Sequence, residues 1–128
     1  MNGSLFAFSN KLFDCKTNKF RLPDDYVMTN TGYIYPEYID DDSNDILNEY
    51  FNTIYPDEDM KNYMPDSFAN MLNGNRTEQS FNIHTGKGSN SKSKLFSMIS
   101  QIFGDYYLHV NAETFTKPKK ETNSTGEL

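Results

Sequence analysis

Gly86-Lys87-Gly88-Ser89-Asn90-Ser91-Lys92-Ser93 brings two glycines, an asparagine, a lysine and a terminal hydroxyl into one short run. A glycine-rich turn that opens a helix aims backbone N–H groups at one point, and the aligned peptide dipoles add a partial positive charge there. The chemistry this suits is the gripping of nucleotide phosphates. In the P-loop pattern G-x-x-x-x-G-K-[ST], the lysine reaches the terminal phosphates and the last hydroxyl holds magnesium. Lys92 and Ser93 take those places, Gly86, Lys87, Gly88, Ser89, Asn90 and Ser91 form the wrapping turn, and Asn90 helps hold it. ATP with Mg2+, bound through Ser93, is the cofactor pair so implied. Ser91 stands where a glycine normally precedes the lysine. If that position needs a backbone geometry hostile to a Cβ, phosphate contact is weakened by roughly 1 kcal/mol or more.

Gly-Ser-Asn-rich turns also serve as plain connectors, so the flanking elements carry weight. Phe81 to Thr85 alternates its larger side chains as a strand does. Lys92 to Phe103 reads as a helix, because Leu95, Phe96, Ile99, Ile102 and Phe103 recur at spacings of three and four and Gly104 sits where helices commonly end. Tyr106 to Val110 offers a strand beyond it. Upstream, Leu5–Phe8, Lys11–Cys15 and Lys19–Leu22 read as short strands with a turn at Thr17-Asn18, and Tyr33-Ile34-Tyr35 as a fourth before Pro36. Asp40-Asp41-Asp42-Ser43-Asn44 reads as a loop and helix N-cap, followed by the apolar stripe Ile46, Leu47, Tyr50, Phe51, Ile54. A second helix from about Asp59 to Leu72 carries Met60, Tyr63, Met64, Phe68, Met71 and Leu72; Pro65 should kink or divide it.

The run Asn70-Met71-Leu72-Asn73-Gly74-Asn75-Arg76-Thr77-Glu78-Gln79-Ser80-Phe81, followed by the G-x-G-x-N-x-K-S loop, resembles the superfamily 3 helicase NTPases of the poxvirus primase-helicase type, found in large DNA viruses, phages and plasmids. Phe6 to Asp14 with Lys16 to Phe20 is similar to the segment before the helicase core in that family. Phe103-Gly104-Asp105-Tyr106-Tyr107 and the end Ser124 to Leu128 continue the likeness. The resemblance implies an ATP-driven DNA helicase of viral DNA replication, acting as a homo-hexamer that threads single-stranded or duplex DNA. The implied fold is α/β. Residues 1–74 would be a strand-rich and helical lead-in, and residues 75–128 the first part of a P-loop (AAA+-like) three-layer core with a parallel sheet and a polar tail.

A P-loop ATPase needs a second carboxylate, usually at the end of an apolar strand, to organise magnesium and the attacking water. After Ser93 the acids are Asp105, Glu113, Glu121 and Glu127, and none follows a run of four apolar residues. In the resembled family that acid, the polar sensor and the arginine finger lie further along the chain. The expectation is therefore a fragment that binds nucleotide and turns over nothing alone. The reading from a different class is a stand-alone interaction or structural protein with a degenerate, non-catalytic P-loop.

Other candidate groups read more plainly. His84 and His109 are the two histidines, and neither neighbours a serine or cysteine in nucleophile spacing. The triple aspartate is better explained as helix-dipole charge than as a metal site. Lys117, Lys119 and Lys120 near Phe115 form a small basic cluster in a polar tail. A single cysteine, Cys15, permits no internal disulfide, and no stretch of about 18 apolar residues exists. An intracellular, reducing location, host cytoplasm or viral replication site, is the corresponding expectation, with no membrane partner. The net charge of −6 is uneven: residues 1–70 hold 13 acids and 5 bases, residues 71–128 hold 5 and 7. Polyanion contact is therefore expected of the second half.

Overall fold

The computed structural model describes residues 3–23, 27–75, 81–88 and 91–117. Three short strands, β1 (Leu5–Ala7), β2 (Leu12–Asp14) and β3 (Lys19–Arg21), form an antiparallel meander. Phe6, Phe13 and Phe20 stand opposite one another across it. The expected turn at Thr17-Asn18 forms: Asn18 takes φ 55°, a conformation asparagine tolerates, and the Asp14 carboxylate accepts the Lys16 N–H at 2.9 Å.

Two helices follow, each started by an aspartate cap. Asp40 accepts the Ser43 N–H at 2.6 Å to open α1 (Asp41–Ile54), and Asp57 accepts the Met60 N–H at 3.0 Å to open α2 (Glu58–Asn70). The side-chain and backbone bonds from Ser43 hold the Asp40 carboxyl below its ordinary value. Only part of each predicted stripe is used. Tyr50, Phe51 and Ile54 pack inward whereas Ile46 lies 68% exposed, and Met64 and Phe68 pack while Tyr63 faces out. The division expected at Pro65 does not occur: α2 is one element through it, with buried Met64 and packed Phe68 anchoring both sides of the missing N–H.

The helix after the glycine-rich loop, α3, spans Lys92–Phe103 as its periodicity predicts. Leu95, Ile99 and Phe103 form its buried face and meet Phe6 of β1 and Phe51 of α1 in one core. That core joins the segment before residue 75 to the segment after it. Gly104 ends α3 at φ 52°, and a short 3-10 turn (Gly104–Tyr106) brings the Tyr106 ring onto Phe6 at 4.7 Å. The Tyr106 hydroxyl then donates to the Thr29 carbonyl at 2.7 Å and accepts the Ala7 N–H at 3.1 Å. A last single-turn helix, α4, spans Glu113–Thr116.

Three predicted strands are absent among the described residues. Tyr33-Ile34-Tyr35 runs beside the β1–β2 connection, but Tyr35 is held by the Asn10 side chain, at 2.9 and 3.1 Å, rather than by a ladder. Phe81–Thr85 and Tyr107–Val110 are irregular, and Tyr106 belongs to the 3-10 turn. A parallel strand is stable only beside another strand that takes up its N–H and C=O groups, and the sheet described here is the antiparallel meander alone. Phe81 and Leu108 accordingly face outward, at 84% and 81% exposed, while His84 and Tyr107 are half-buried.

Candidate functional site

The glycine-rich run 86–93 lies between irregular residues 81–85 and the start of α3, with Ser91 and Lys92 half-buried. Gly86, Lys87 and Gly88 are exposed; Ser89 and Asn90 lie outside the described residues. Gly88 takes φ 87°, a value that favours glycine, with open space around the position a Cβ would occupy. Ser91 takes φ 63°, ψ 7°. The residue standing in place of the usual glycine thus adopts the left-handed geometry that glycine serves best, as anticipated from the pattern.

Ser91 is the N-cap of α3, but its side chain forms no capping bond. Its carbonyl accepts the Leu95 N–H at 2.9 Å, so the amides of Lys92, Ser93 and Lys94 precede the first intrahelical bond. The contrast with α1 and α2 is chemical. Those helices each have a carboxylate cap and two acids in the first turn, whereas α3 has no acid there and two lysines, Lys92 and Lys94. Cations at a helix N-terminus oppose the macrodipole by about 0.3–1 kcal/mol each, and a missing cap forgoes about 1 kcal/mol. The start of α3 is therefore built against its own local stability, and an anion reverses both terms.

Lys92 folds back over the loop and donates from Nζ to the Gly86 carbonyl at 3.4 Å. The contact is long and exposed. Ser93 is exposed at the first turn, its hydroxyl outside the helix. On the approach, the His84 ring meets Phe96 of α3 edge-on, with centroids 5.1 Å apart. His84 is thus a half-buried packing group that ties the loop's entry to α3, while His109 is exposed. Lys117 is ion-paired with Glu113; Lys119 and Lys120 lie outside the described residues. Glu113 is thereby occupied on α4, and Asp105 sits exposed on the 3-10 turn.

A cavity of about 970 Å³ opens elsewhere, between β1, the end of α2 and α3, with Phe6, Phe68, Met71, Phe96, Ile99 and Tyr107 among its walls. None of the described loop residues, 86–88 and 91–93, lines it; Phe96 is the link, facing the cavity and touching His84. From the sequence, Phe68, Met71, Phe96 and Ile99 are read as apolar positions at helical spacing, which carries no signal that they enclose a hollow. Among the described residues no group of three or more His, Cys, Asp or Glu is placed to hold a metal ion, and no helix is long and apolar enough to cross a membrane. At the start of α3 the described residues place an N-terminus without a side-chain cap beside the Lys92 ammonium.

The chain is similar to three viral proteins named as helicases. It is 32% identical over 126 residues to "Putative helicase L207/L206" of Acanthamoeba polyphaga mimivirus, an alignment covering 96% of this chain. It is 31% identical to "Putative helicase 121R" of Invertebrate iridescent virus 3 and 29% identical to "Putative helicase 184R" of Invertebrate iridescent virus 6, each over 107 residues and 80% of this chain. The chain spans only 13%, 11% and 11% of the length of these relatives. No family model matches it, and no solved structure matches. The relatives support a viral helicase family.

Proposed function

We propose that this chain is the ATP-binding opening of a superfamily 3 DNA helicase, carrying a lead-in region and the first, phosphate-gripping part of an α/β P-loop core. The observation that carries the reading is the start of α3. An uncapped helix N-terminus with two lysines is preceded by a left-handed Ser91 and spanned by the Lys92-to-Gly86 contact. Similarity to viral proteins named as helicases supports it. Lys92 exchanges the Gly86 carbonyl for the terminal phosphates, the Lys92–Lys94 amides and the Gly86–Ser91 backbone surround them, and Ser93 faces the Mg2+ carried by the nucleotide. Bound ATP supplies the free energy of phosphoryl transfer. In the full-length protein, as a homo-hexamer on DNA, that energy would drive unwinding during viral replication.

The test is titration of the 128-residue chain with a fluorescent ATP analogue, with and without Mg2+. Magnesium-dependent binding, weakened tenfold or more by Lys92→Ala and reduced by Ser93→Ala, is the expected result. Absence of binding by a cooperatively folded chain overturns the proposal. A second reading, a stand-alone interaction protein with a degenerate P-loop, is favoured by one observation: none of the described loop residues, 86–88 and 91–93, lines the cavity. The same titration decides between them. Steady ATP hydrolysis by the isolated chain, abolished by Lys92→Ala, would contradict the assignment of the second acid to another part of the polypeptide.

A further inference from the structure

The cavity between β1, the end of α2 and α3 has no part in the nucleotide reading. Native interiors hold few voids larger than a water molecule, whereas this one, at about 970 Å³, stands at the top of the range of small-molecule sites. Its wall is held in shape by contacts that do not involve any occupant. The Gly74 N–H donates to the Gly3 carbonyl at 2.6 Å, clasping two wall residues from distant parts of the chain. Tyr106 is pinned onto the Phe6 ring, 4.7 Å away, by its hydrogen bonds with Ala7 and Thr29. Phe103 meets the same Phe6 edge-on at 5.7 Å, so three rings make one rigid aromatic wall. The end of α2 adds Met71, whose unbranched thioether adapts its shape to a neighbouring ring.

The chemistry of the wall is selective through what it lacks. Among the described residues that line it there is no Asp, Glu, Lys, His, Asn, Gln or Ser. Its one charged side chain, Arg21, pairs with Asp14 at 3.6 Å and is 46% exposed, so that charge is shared with solvent. The Tyr106 hydroxyl is already engaged as donor and acceptor. A charged ligand, or one with a long polar edge, would lose its water here without gaining partners. A nucleotide is such a ligand. A flat uncharged ring is not, because the edges and faces of Phe6, Phe103 and Tyr106 and the sulfur of Met71 are the partners that aromatic rings take. Met28, a wall residue 90% exposed, marks where the hollow opens to solvent.

We infer that this cavity is a binding site for an uncharged, apolar small molecule carrying an aromatic ring, seated against the Phe6–Phe103–Tyr106 wall. The site does not depend on the Lys92 loop.

The test uses the 128-residue chain and phenylnaphthylamine, an uncharged fluorophore that brightens in apolar surroundings. Saturable one-to-one binding is expected, with a Tm that rises with probe concentration, since a ligand of the folded state stabilises it by mass action. Met71→Trp should fill part of the hollow and weaken binding about tenfold or more. Met28→Trp should retain binding, and because the chain has no tryptophan of its own, quenching of its emission by the bound probe places the probe at the cavity. That signal keeps the inference open to refutation if Met71→Trp does not fold. Ile46→Trp, at an exposed position of α1 outside the wall, should bind as the parent does. Anilinonaphthalenesulfonate, which adds a negative charge to the same ring framework, should bind about tenfold more weakly or worse. No binding or non-saturable binding by a cooperatively folded chain would overturn the inference. So would parental affinity in a folded Met71→Trp, an unquenched Met28→Trp, or tighter binding of the sulfonate than of the uncharged probe.

Discussion

Replacing Ser91 by glycine should stabilise the protein, and the size of the gain follows from two opposed terms. Ser91 sits at φ 63°, ψ 7°, where a residue with a Cβ is strained by roughly 1–2 kcal/mol. Its side chain makes no capping bond, so removing it sacrifices no hydrogen bond to the helix. Against this, glycine gives the unfolded chain more freedom, which costs about 0.4–1 kcal/mol. The balance is a net gain of about 0.5–1 kcal/mol, or about 2–5 °C in Tm for a chain of this size. Ser91→Ala keeps the Cβ and should stay within about 0.5 kcal/mol of the parent, whereas β-branched Ser91→Val should lose about 1 kcal/mol. Urea and thermal denaturation of the three variants measure the series. A loss of stability in Ser91→Gly, or a Ser91→Val as stable as the parent, would show that the left-handed conformation is not what the folded loop adopts, and the geometry assigned to the start of α3 would fall with it.

Gly104→Ala should be severe. A Cβ at Gly104 would lie 2.0 Å from the Thr31 carbonyl oxygen, on backbone with φ 52°, so backbone must shift and a loss of about 3–5 kcal/mol is expected by chemical denaturation. Tyr106→Phe should cost about 1–3 kcal/mol, because it leaves the Ala7 N–H and the Thr29 carbonyl without their partner; the loss should appear as faster amide exchange at Ala7. Leu95→Ala, at a side chain 2% exposed, should cost about 2–5 kcal/mol in urea unfolding. Asp40 has a folded-state pKa lowered by its bonds with Ser43, so its contribution is complete above the ordinary carboxylate value of 3.8 and is lost as pH falls through the lower folded value. Asp40→Asn, which still caps, should remove that acid-limb dependence while leaving α1 helical by circular dichroism.

The helices and the hairpin turn were legible in the residues themselves because their determinants are local. Leu95, Ile99 and Phe103 fix the face of α3 at spacings that any helix imposes, Asp40 cap and Asn18 turn residues mark their places within a few positions, and the i to i−4 bonds close within one segment. The expectation of an anion loop at the G-x-G-x-N-x-K-S run likewise rests on spacing alone. Tertiary structure decided what depends on distant partners. Phe81–Thr85 and Tyr107–Val110 alternate like strands, yet a strand's hydrogen bonds belong half to its neighbour, and no neighbour stands beside them among the described residues. Gly104 reads as a helix stop, but only the fold presses it onto the Thr31 carbonyl, and Lys92 reads as a phosphate ligand, but only the fold shows it reaching Gly86. The packing of Phe8, Phe20 and Tyr35 with the Lys11 ammonium over two of the rings is invisible in sequence, since three separate segments meet there only when the meander and the Asn10 bonds bring them together.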